Sequence, residues 1–339
     1  MSIQVGEPRS VLISILNWNG ALDTTNCVKS LLSMTNAGGH LVQILVIDNG
    51  SRPDDWQLLR DNLHGLNVQL VRQEQNLGFA GGHNVAFEMA LQQSCDFIWL
   101  VNNDSLVKSG ALDALVARID SEPRCGIVSP VVLAMADETV IDFCGARHDW
   151  KNLDSISCTS IEEARVMEQA YPKEMWLMGA AIMLRMDAVR EVGVLDHRYF
   201  AYYEDNDICA RMSEKGWLCR MAFDAVVLHD HPVSRLKEKS AYYFYLMARN
   251  SFRFWYRHTP SPYRRMLRLK LIDRATLMAN RLHSCSYDDK AAACLLGVYD
   301  GQTGRSGKWN LERRVPLVMT TLRKLLWRNH VRHFVPGQD

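Results

Sequence analysis

Three short apolar runs, each stopped by polar residues, constrain this chain most. Val11–Leu16 ends at Asn17-Trp18-Asn19-Gly20, Ile44–Ile47 at Asp48-Asn49-Gly50-Ser51, and Phe97–Val101 at Asn102-Asn103-Asp104. Runs this short, closed by turn residues, read as strands buried on both faces. Val68–Val71 reads as a further strand. Helical spacing lies between them: Cys27/Leu31 and Val28/Leu32 behind a capping Asp23, then Trp56–Leu63, then Leu112, Leu115, Val116 and Ile119. Strands alternating with helices imply an α/β fold: a Rossmann-like, mostly parallel sheet with helices on both faces. Such sheets bind ligands at the carboxyl ends of their strands. Asn17, Asp48 and the Asn102–Asp104 group stand at those ends.

Composition is that of an ordinary globular chain: 339 residues, 47% hydrophobic and 23% charged. The net charge of +1 conceals a split. Residues 232–339 hold 21 Lys and Arg against 7 Asp and Glu, whereas residues 1–231 hold 18 against 31. The basic end suits anionic lipid, nucleic acid or a phosphorylated acceptor, and equally suits neutralising the acidic part of its own chain. No recognition motif supports nucleic acid. The nine cysteines show no C-x-x-C spacing, and Met1–Ser10 has no apolar signal core. The expectation is reduced thiols in the cytoplasm. No apolar run approaches the ~20 residues of a spanning helix, so any membrane contact is peripheral, on the cytoplasmic face of the inner membrane.

Further along, 134–172 is polar and irregular, and strand character returns at Trp176–Leu184 and Val226–His229. A helix is expected at Asp205–Lys215 with Gly216 as its stop. From about Ala241, aromatic and basic residues at helical spacing dominate. Leu322, Leu325, Leu326 and Trp327 beside Arg323, Lys324 and Arg328 fit an interfacial helix or one packed on its neighbours. Gly301–Lys308 is not a P-loop: Gln302 stands where the first glycine belongs and Trp309 where a Ser or Thr belongs.

Three blocks together carry a resemblance. One is Asn102-Asn103-Asp104 at a strand end. Another is the glycine-rich loop Asn76-Leu77-Gly78-Phe79-Ala80-Gly81-Gly82-His83-Asn84. The third runs from Met178-Gly179-Ala180-Ala181 through Gly193-Val194-Leu195-Asp196 to Tyr202-Tyr203-Glu204-Asp205-Asn206-Asp207, with Arg211 downstream. The chain resembles the family 2 glycosyltransferases of GT-A fold, especially bacterial rhamnosyltransferase-like members. The likeness runs from Val11 to about His231 and continues more weakly to about Lys308.

That resemblance implies a GT-A catalytic domain over residues 1–235 and a basic, mainly helical region over 236–339. It implies inverting, metal-dependent transfer from a dTDP- or UDP-sugar, with dTDP-L-rhamnose favoured, to a glycan or lipid-linked acceptor. Asn17, Asp48, Asn76, Gly81, Gly82, Asn84, Asn102 and Asn103 fall on the donor side, and Trp176 and Gly179 on the acceptor side. Asp104 and His229 match the ligands of Mg²⁺ or Mn²⁺, with His231 the competitor for the second place. Asn102 departs from the family's acidic pattern, which leaves Asp104 as the principal carboxylate. Asp205 matches the general base and Glu204 its neighbour. An inverting displacement needs a base beside the acceptor hydroxyl, opposite the leaving group. The departing diphosphate needs its charge compensated.

Two rivals share parts of this pattern. A sugar nucleotidyltransferase carries a glycine-rich basic signature after its first strand, but here no Lys or Arg occurs between Asn17 and Lys29. A non-catalytic sugar- or lipid-binding relative could dispense with Asp104 or Asp205, and both are present.

Overall fold

The computed structural model describes residues 7–230 and 236–334. They form two compact units. The larger comprises Met1–His148, Ser155–His197 and Glu204–Pro232, and the smaller comprises Asp149–Asp154, Arg198–Tyr203 and Val233–Asp339. Two short segments upstream of the basic region therefore belong to the smaller unit.

The larger unit opens with β1 (Ser10–Asn17), α1 (Ala21–Ser33), β2 (Leu41–Asn49), α2 (Pro53–Leu63), β3 (Gln69–Gln73), α3 (Gly78–Gln92) and β4 (Phe97–Asn102). There follow β5 (Ser105–Val107), α4 (Ala111–Asp120), β6 (Cys125–Ala134), β7 (Asp137–Phe143), β8 (Ala146–Asp149), β9 (Asp154–Ser157) and α5 (Ile161–Ala170). It closes with β10 (Met175–Trp176), β11 (Ala181–Arg185), α6 (Met186–Val192), α7 (Glu204–Glu214) and β12 (Leu218–His229). The main sheet has the order β3-β2-β1-β4-β11-β6-β12-β5, with β7 on β6, and β10-β8-β9 form a second small sheet. The first four strands are parallel, as the alternation predicts.

Period-2 alternation splits the sheet's side chains between two cores. Leu12, Leu45, Ile47, Ile98 and Leu100 pack with α3, α6 and α7. Val11, Ile13, Ile15, Val46 and Trp99 pack with α1, α2 and α4. Helices thus cover both faces.

Five strands, β5 to β9, escaped the sequence reading. β6 contains Pro130, ordinarily a strand breaker. It sits centrally because its partner β12 shifts register from Ala222 to Val226 beside Pro130 and Val131. The apolar stretch expected as one strand at Trp176–Leu184 divides instead between β10 and β11. Because β11 is antiparallel to both β4 and β6, β6 and its parallel partner β12 run the same way as β1. The end of β12 therefore shares a sheet edge with the ends of β1, β2 and β4.

The smaller unit is helical: α8 (Ala241–His258), α9 (Leu267–Ser284), α10 (Asp288–Gln302) and α11 (Leu317–His330). Gly297 and Gly301 set α10 against α8 at backbone distance. A Cβ at Gly297 would overlap the Tyr245 carbonyl oxygen, and one at Gly301 would lie 2.8 Å from that of Arg249. Among the described residues, no helix is long and apolar enough to cross a membrane. None of the nine cysteines forms a disulfide, and eight of them are buried.

Candidate active site

The register aligns the polar strand ends. Asn17 stands beside Asp48, and Leu16 beside Asn102. Asn17 is fully buried, and its amide nitrogen donates to Asp48 (2.9 Å), Ser51 (3.1 Å) and Asp55 (3.0 Å). Its oxygen accepts from Thr24 at 2.7 Å. With both ends of the amide engaged, Asn17 organises the edge. Asp48 is likewise buried, and Arg72 pairs with it at 3.4 Å while lying over the Trp56 ring. Neither Arg72 nor Trp56 belongs to a motif, so sequence reasoning passed over both.

The glycine-rich stretch is the start of α3 rather than a free loop. The Asn76 side chain accepts from the Gly78 N–H at 2.7 Å, and Asn49 accepts from Leu77 at 3.0 Å. Gly81 is half-buried in the first turns. A Cβ at Gly82 would collide with Leu16. Its glycine answers to close packing of helix on sheet. Asn84 ties α3 to the 193–196 turn by donating to Leu195 O at 2.9 Å, and its buried Oδ1 has no hydrogen-bond partner.

At the end of β4 the three residues diverge. Asn103 donates to Thr24 at 3.1 Å. Asn102 lies 3.3 Å from His229 Nε2. The Asp104 carboxylate lies 3.3 Å from the same nitrogen, and its buried Oδ1 has no hydrogen-bond partner. On the other side of the ring, Nδ1 meets Asp142 at 2.9 Å. Burial opposes the charged imidazolium, but Asp104 and Asp142 outweigh it and push the His229 pKa up to about 9. Asp142, on β7 within the segment read as irregular, is a site residue the sequence did not reveal. His231 lies outside the described residues.

Beside this pair a cleft of about 270 Å³ is lined by Asp23, Asp104 and Asp230, with Asn26, Ser105, Leu106 and Met135. Burial and the charges of Asp104 and Asp230 raise the Asp23 pKa. Among the described residues, no three His, Cys, Asp or Glu side chains form a complete ion cage. Asp104 and His229 offer one oxygen and one nitrogen. That pair fits a divalent ion whose other positions come from diphosphate and water.

At the start of β11, the Gly179 N–H donates to Asp205 Oδ2 at 3.0 Å. The backbone and side chain of Asn206 donate to Oδ1 at 2.7 and 2.9 Å. Burial raises the Asp205 pKa, and these donors partly restrain it. Trp176 stacks on His148, which in turn reaches Asn206 at 3.0 Å. Asp207 and Arg211 form a buried pair at 2.7 Å, and Arg211 also clamps the carbonyls of Val192, Gly193 and Val194. Their role is structural.

Glu204 is buried, and its Oε2 has no hydrogen-bond partner. Burial, then the charge of Asp205, lifts its pKa well above 4.5. The folded state holds this proton after an unfolded chain has released it, so the burden on stability grows as pH rises above ~4.5. Glu204→Gln is expected to gain stability over the parent between pH ~5 and ~8. Thermal melts at the two pH values check this; a constant difference would contradict a buried, protonated Glu204.

Comparison with known proteins bears on this constellation. A model described as glycosyl transferase family 2 matches residues 10–157, and one described as glycosyl transferase family group 2 matches residues 97–287. An N-acetylglucosaminyl-diphospho-decaprenol L-rhamnosyltransferase of Mycobacterium tuberculosis is 28% identical over 282 residues, covering 73% of this chain and 87% of that one. Among solved structures, a mannosyltransferase from Pyrobaculum calidifontis with GDP-Man and Mn²⁺ aligns with TM-score 0.52 and 15% identity, covering 97% of this chain and 83% of that one. GalNAc-T7 with UDP, GalNAc and Mn²⁺ aligns with TM-score 0.54 and 17% identity over 66% of this chain, which spans only 44% of that protein. The fold is that of the GT-A enzymes. The chain belongs to the family 2 glycosyltransferases.

Proposed function

We propose that this chain transfers L-rhamnose, with inversion, from dTDP-rhamnose to a hydroxyl of a lipid-linked glycan. The observation that carries the chemistry is Asp205: a carboxylate fixed by three N–H donors at the sheet edge that bears Asp104 and His229. Oδ2 accepts one of those bonds and keeps a lone pair for the acceptor proton. Its burial-raised pKa suits a general base better than a free Asp does. The acceptor oxygen bonds to the anomeric carbon, the bond to the diphosphate oxygen breaks, and the acceptor proton passes to Asp205.

On the donor side, Asp48 with Arg72, Asn76 and Gly81, and Asn102 with Asn103 line the carboxyl edge for base, ribose and diphosphate. Trp176 and Gly179 stand on the acceptor side. Asp104 and His229 would hold Mg²⁺ or Mn²⁺, and Asp142 fixes the ring so that Nε2 faces Asp104. A bound divalent ion supplies compensation for the charge developing on the departing diphosphate. The relative named as a rhamnosyltransferase with a decaprenyl diphosphate acceptor supports sugar and acceptor class. Exposed Leu317, Val318 and Leu325 beside Arg323, Lys324 and Arg328 on α11 support peripheral membrane contact.

A thermal-shift series with dTDP, UDP and their sugars, with and without Mn²⁺ or Mg²⁺, tests this reading. Stabilisation is expected with dTDP compounds and a divalent ion, and it should be lost in Asp104→Asn. Equal shifts without any ion would remove the metal role; preference for UDP would change the sugar; no shift at all would remove the donor site.

A further inference from the structure

The smaller unit contains a cationic groove that the proposed catalytic steps do not use. It is lined by Arg198, Arg249, Arg253, Arg257 and Arg305 together with Tyr256 and the 301–304 turn, and encloses about 570 Å³. Among the described residues no carboxylate lines it. Asp300 is buried behind Arg305 (3.6 Å) and already engaged by Arg313 and by Tyr245 Oη at 2.8 Å.

Arg249 makes the groove unusual. It is only 2% exposed, yet its guanidinium meets carbonyl oxygens and an amide instead of a carboxylate: Gly307 O, Tyr199 O at 2.7 Å and Asn250 Oδ1 at 2.9 Å. Burial, with the neighbouring charge of Arg253, weakens its hold on its proton. A guanidinium withdrawn from water without a counter-charge is costly. Arg253 has no carboxylate partner among the described residues; its guanidinium carbon lies 5.9 Å from the Tyr199 ring centroid. Nearby, Arg268 donates to Gln302 Oε1 at 2.9 Å and adds positive charge at the rim. The fold thus concentrates planar, fork-shaped donors around a space far larger than the ~30 Å³ share of a water molecule. Guanidinium forks match phosphate oxygens in pairs.

We propose that this groove is a diphosphate-binding site, and that its ligand is the diphosphate joining lipid and glycan in the acceptor. The assignment of that ligand rests on the acceptor class proposed above; the anion site itself does not. Two other sources offer the same phosphate chemistry: free pyrophosphate and the headgroups of an anionic bilayer.

The test uses the full chain and three probes: geranyl diphosphate and inorganic pyrophosphate by calorimetry, and phosphatidylglycerol vesicles by co-sedimentation. EDTA is present so that a metal-dependent donor site stays silent. Arg253→Gln/Arg257→Gln is compared with the parent, and its melting temperature establishes that it folds. The expected result is saturable binding of geranyl diphosphate, tighter than that of pyrophosphate and weakened at least about tenfold in the variant. Three results would overturn the proposal: unchanged affinity in the variant, pyrophosphate binding as tightly as geranyl diphosphate, or binding to vesicles alone. Donor-dependent thermal shifts, measured in parallel without EDTA, report on the catalytic unit. Their absence beside retained geranyl diphosphate binding would sink the transferase assignments and leave the anion site standing.

Discussion

Asp205→Asn is expected to lower sugar transfer by ~10²–10⁴-fold, the usual contribution of a positioned general base. The amide has nearly the shape of the carboxylate, and Oδ1 can still accept from Asn206. The amide nitrogen that replaces Oδ2 cannot accept from the Gly179 N–H, a cost of about 1–2 kcal/mol. Folding and donor binding should still persist, read as a melting temperature lowered by a few degrees at most and an unchanged nucleotide-dependent shift. The pH profile adds an independent check. Transfer needs the ionised carboxylate, and burial has raised its pKa above 3.8. The parent enzyme should lose activity as pH falls through that raised value, earlier than an exposed Asp would dictate, while the residual rate of the variant should lack this acid limb. A variant retaining transfer within threefold of the parent would take Asp205 out of the reaction.

Asn250→Ala should be the most damaging single change in the smaller unit. Phe200, Tyr202 and Tyr203 all have left-handed backbones, with φ of 69°, 67° and 76°. Each such residue costs about 1 kcal/mol or more. The side-chain amide of Asn250, itself 1% exposed, offsets this by donating to the carbonyls of Tyr199 (3.0 Å), Ala201 (2.8 Å) and Tyr202 (2.8 Å). Removing it strips buried acceptors of their donor and frees a strained loop, an expected loss of ~3 kcal/mol. That loop runs directly into Glu204 and Asp205, so transfer should fall more than tenfold while the donor-dependent shift survives. Denaturant unfolding and single-turnover transfer measure the two effects. Destabilisation with an undiminished rate would show that the loop has no part in presenting Asp205.

Much of the edge was legible in the sequence because buried parallel strands write themselves as apolar runs and their ends as polar breaks. Asp48, Asn102 and Asp104 were found that way. Asp142 was not: it lies on a strand whose residues, apart from buried Phe143, are exposed or half-buried, where no apolar run announces β7. β6 was hidden by Pro130, whose tolerance depends on a register shift in a strand nearly a hundred residues away. Asn17, Gly82 and Asn84 were recognised as special positions, but their contacts within the chain, to Asp48 and Asp55, to Leu16 and to Leu195, were not legible. Sequence shows that a polar or small residue is required, while only coordinates show whether it faces a ligand or its own chain. Arg249 and Asn250 lie in the aromatic and basic stretch read as helical, but the carbonyls of Tyr199, Ala201 and Tyr202 that they hold lie about fifty positions earlier.

The glycines that seat α10 against α8 have a consequence for variation. Where two helices meet this closely, the Ala248 and Phe252 side chains at the seam are accompanied by main-chain carbonyls that cannot trade volume. A large-to-small change elsewhere in a core can be answered by a neighbour growing; a methyl group at Gly297 has nothing opposite it that can shrink, because what it meets is a carbonyl of the main chain. Relatives that keep this crossing should hold a glycine at that position whatever sugar they transfer. Those that lose it should differ in the pitch of α8, and with it in the spacing of the arginines along that helix.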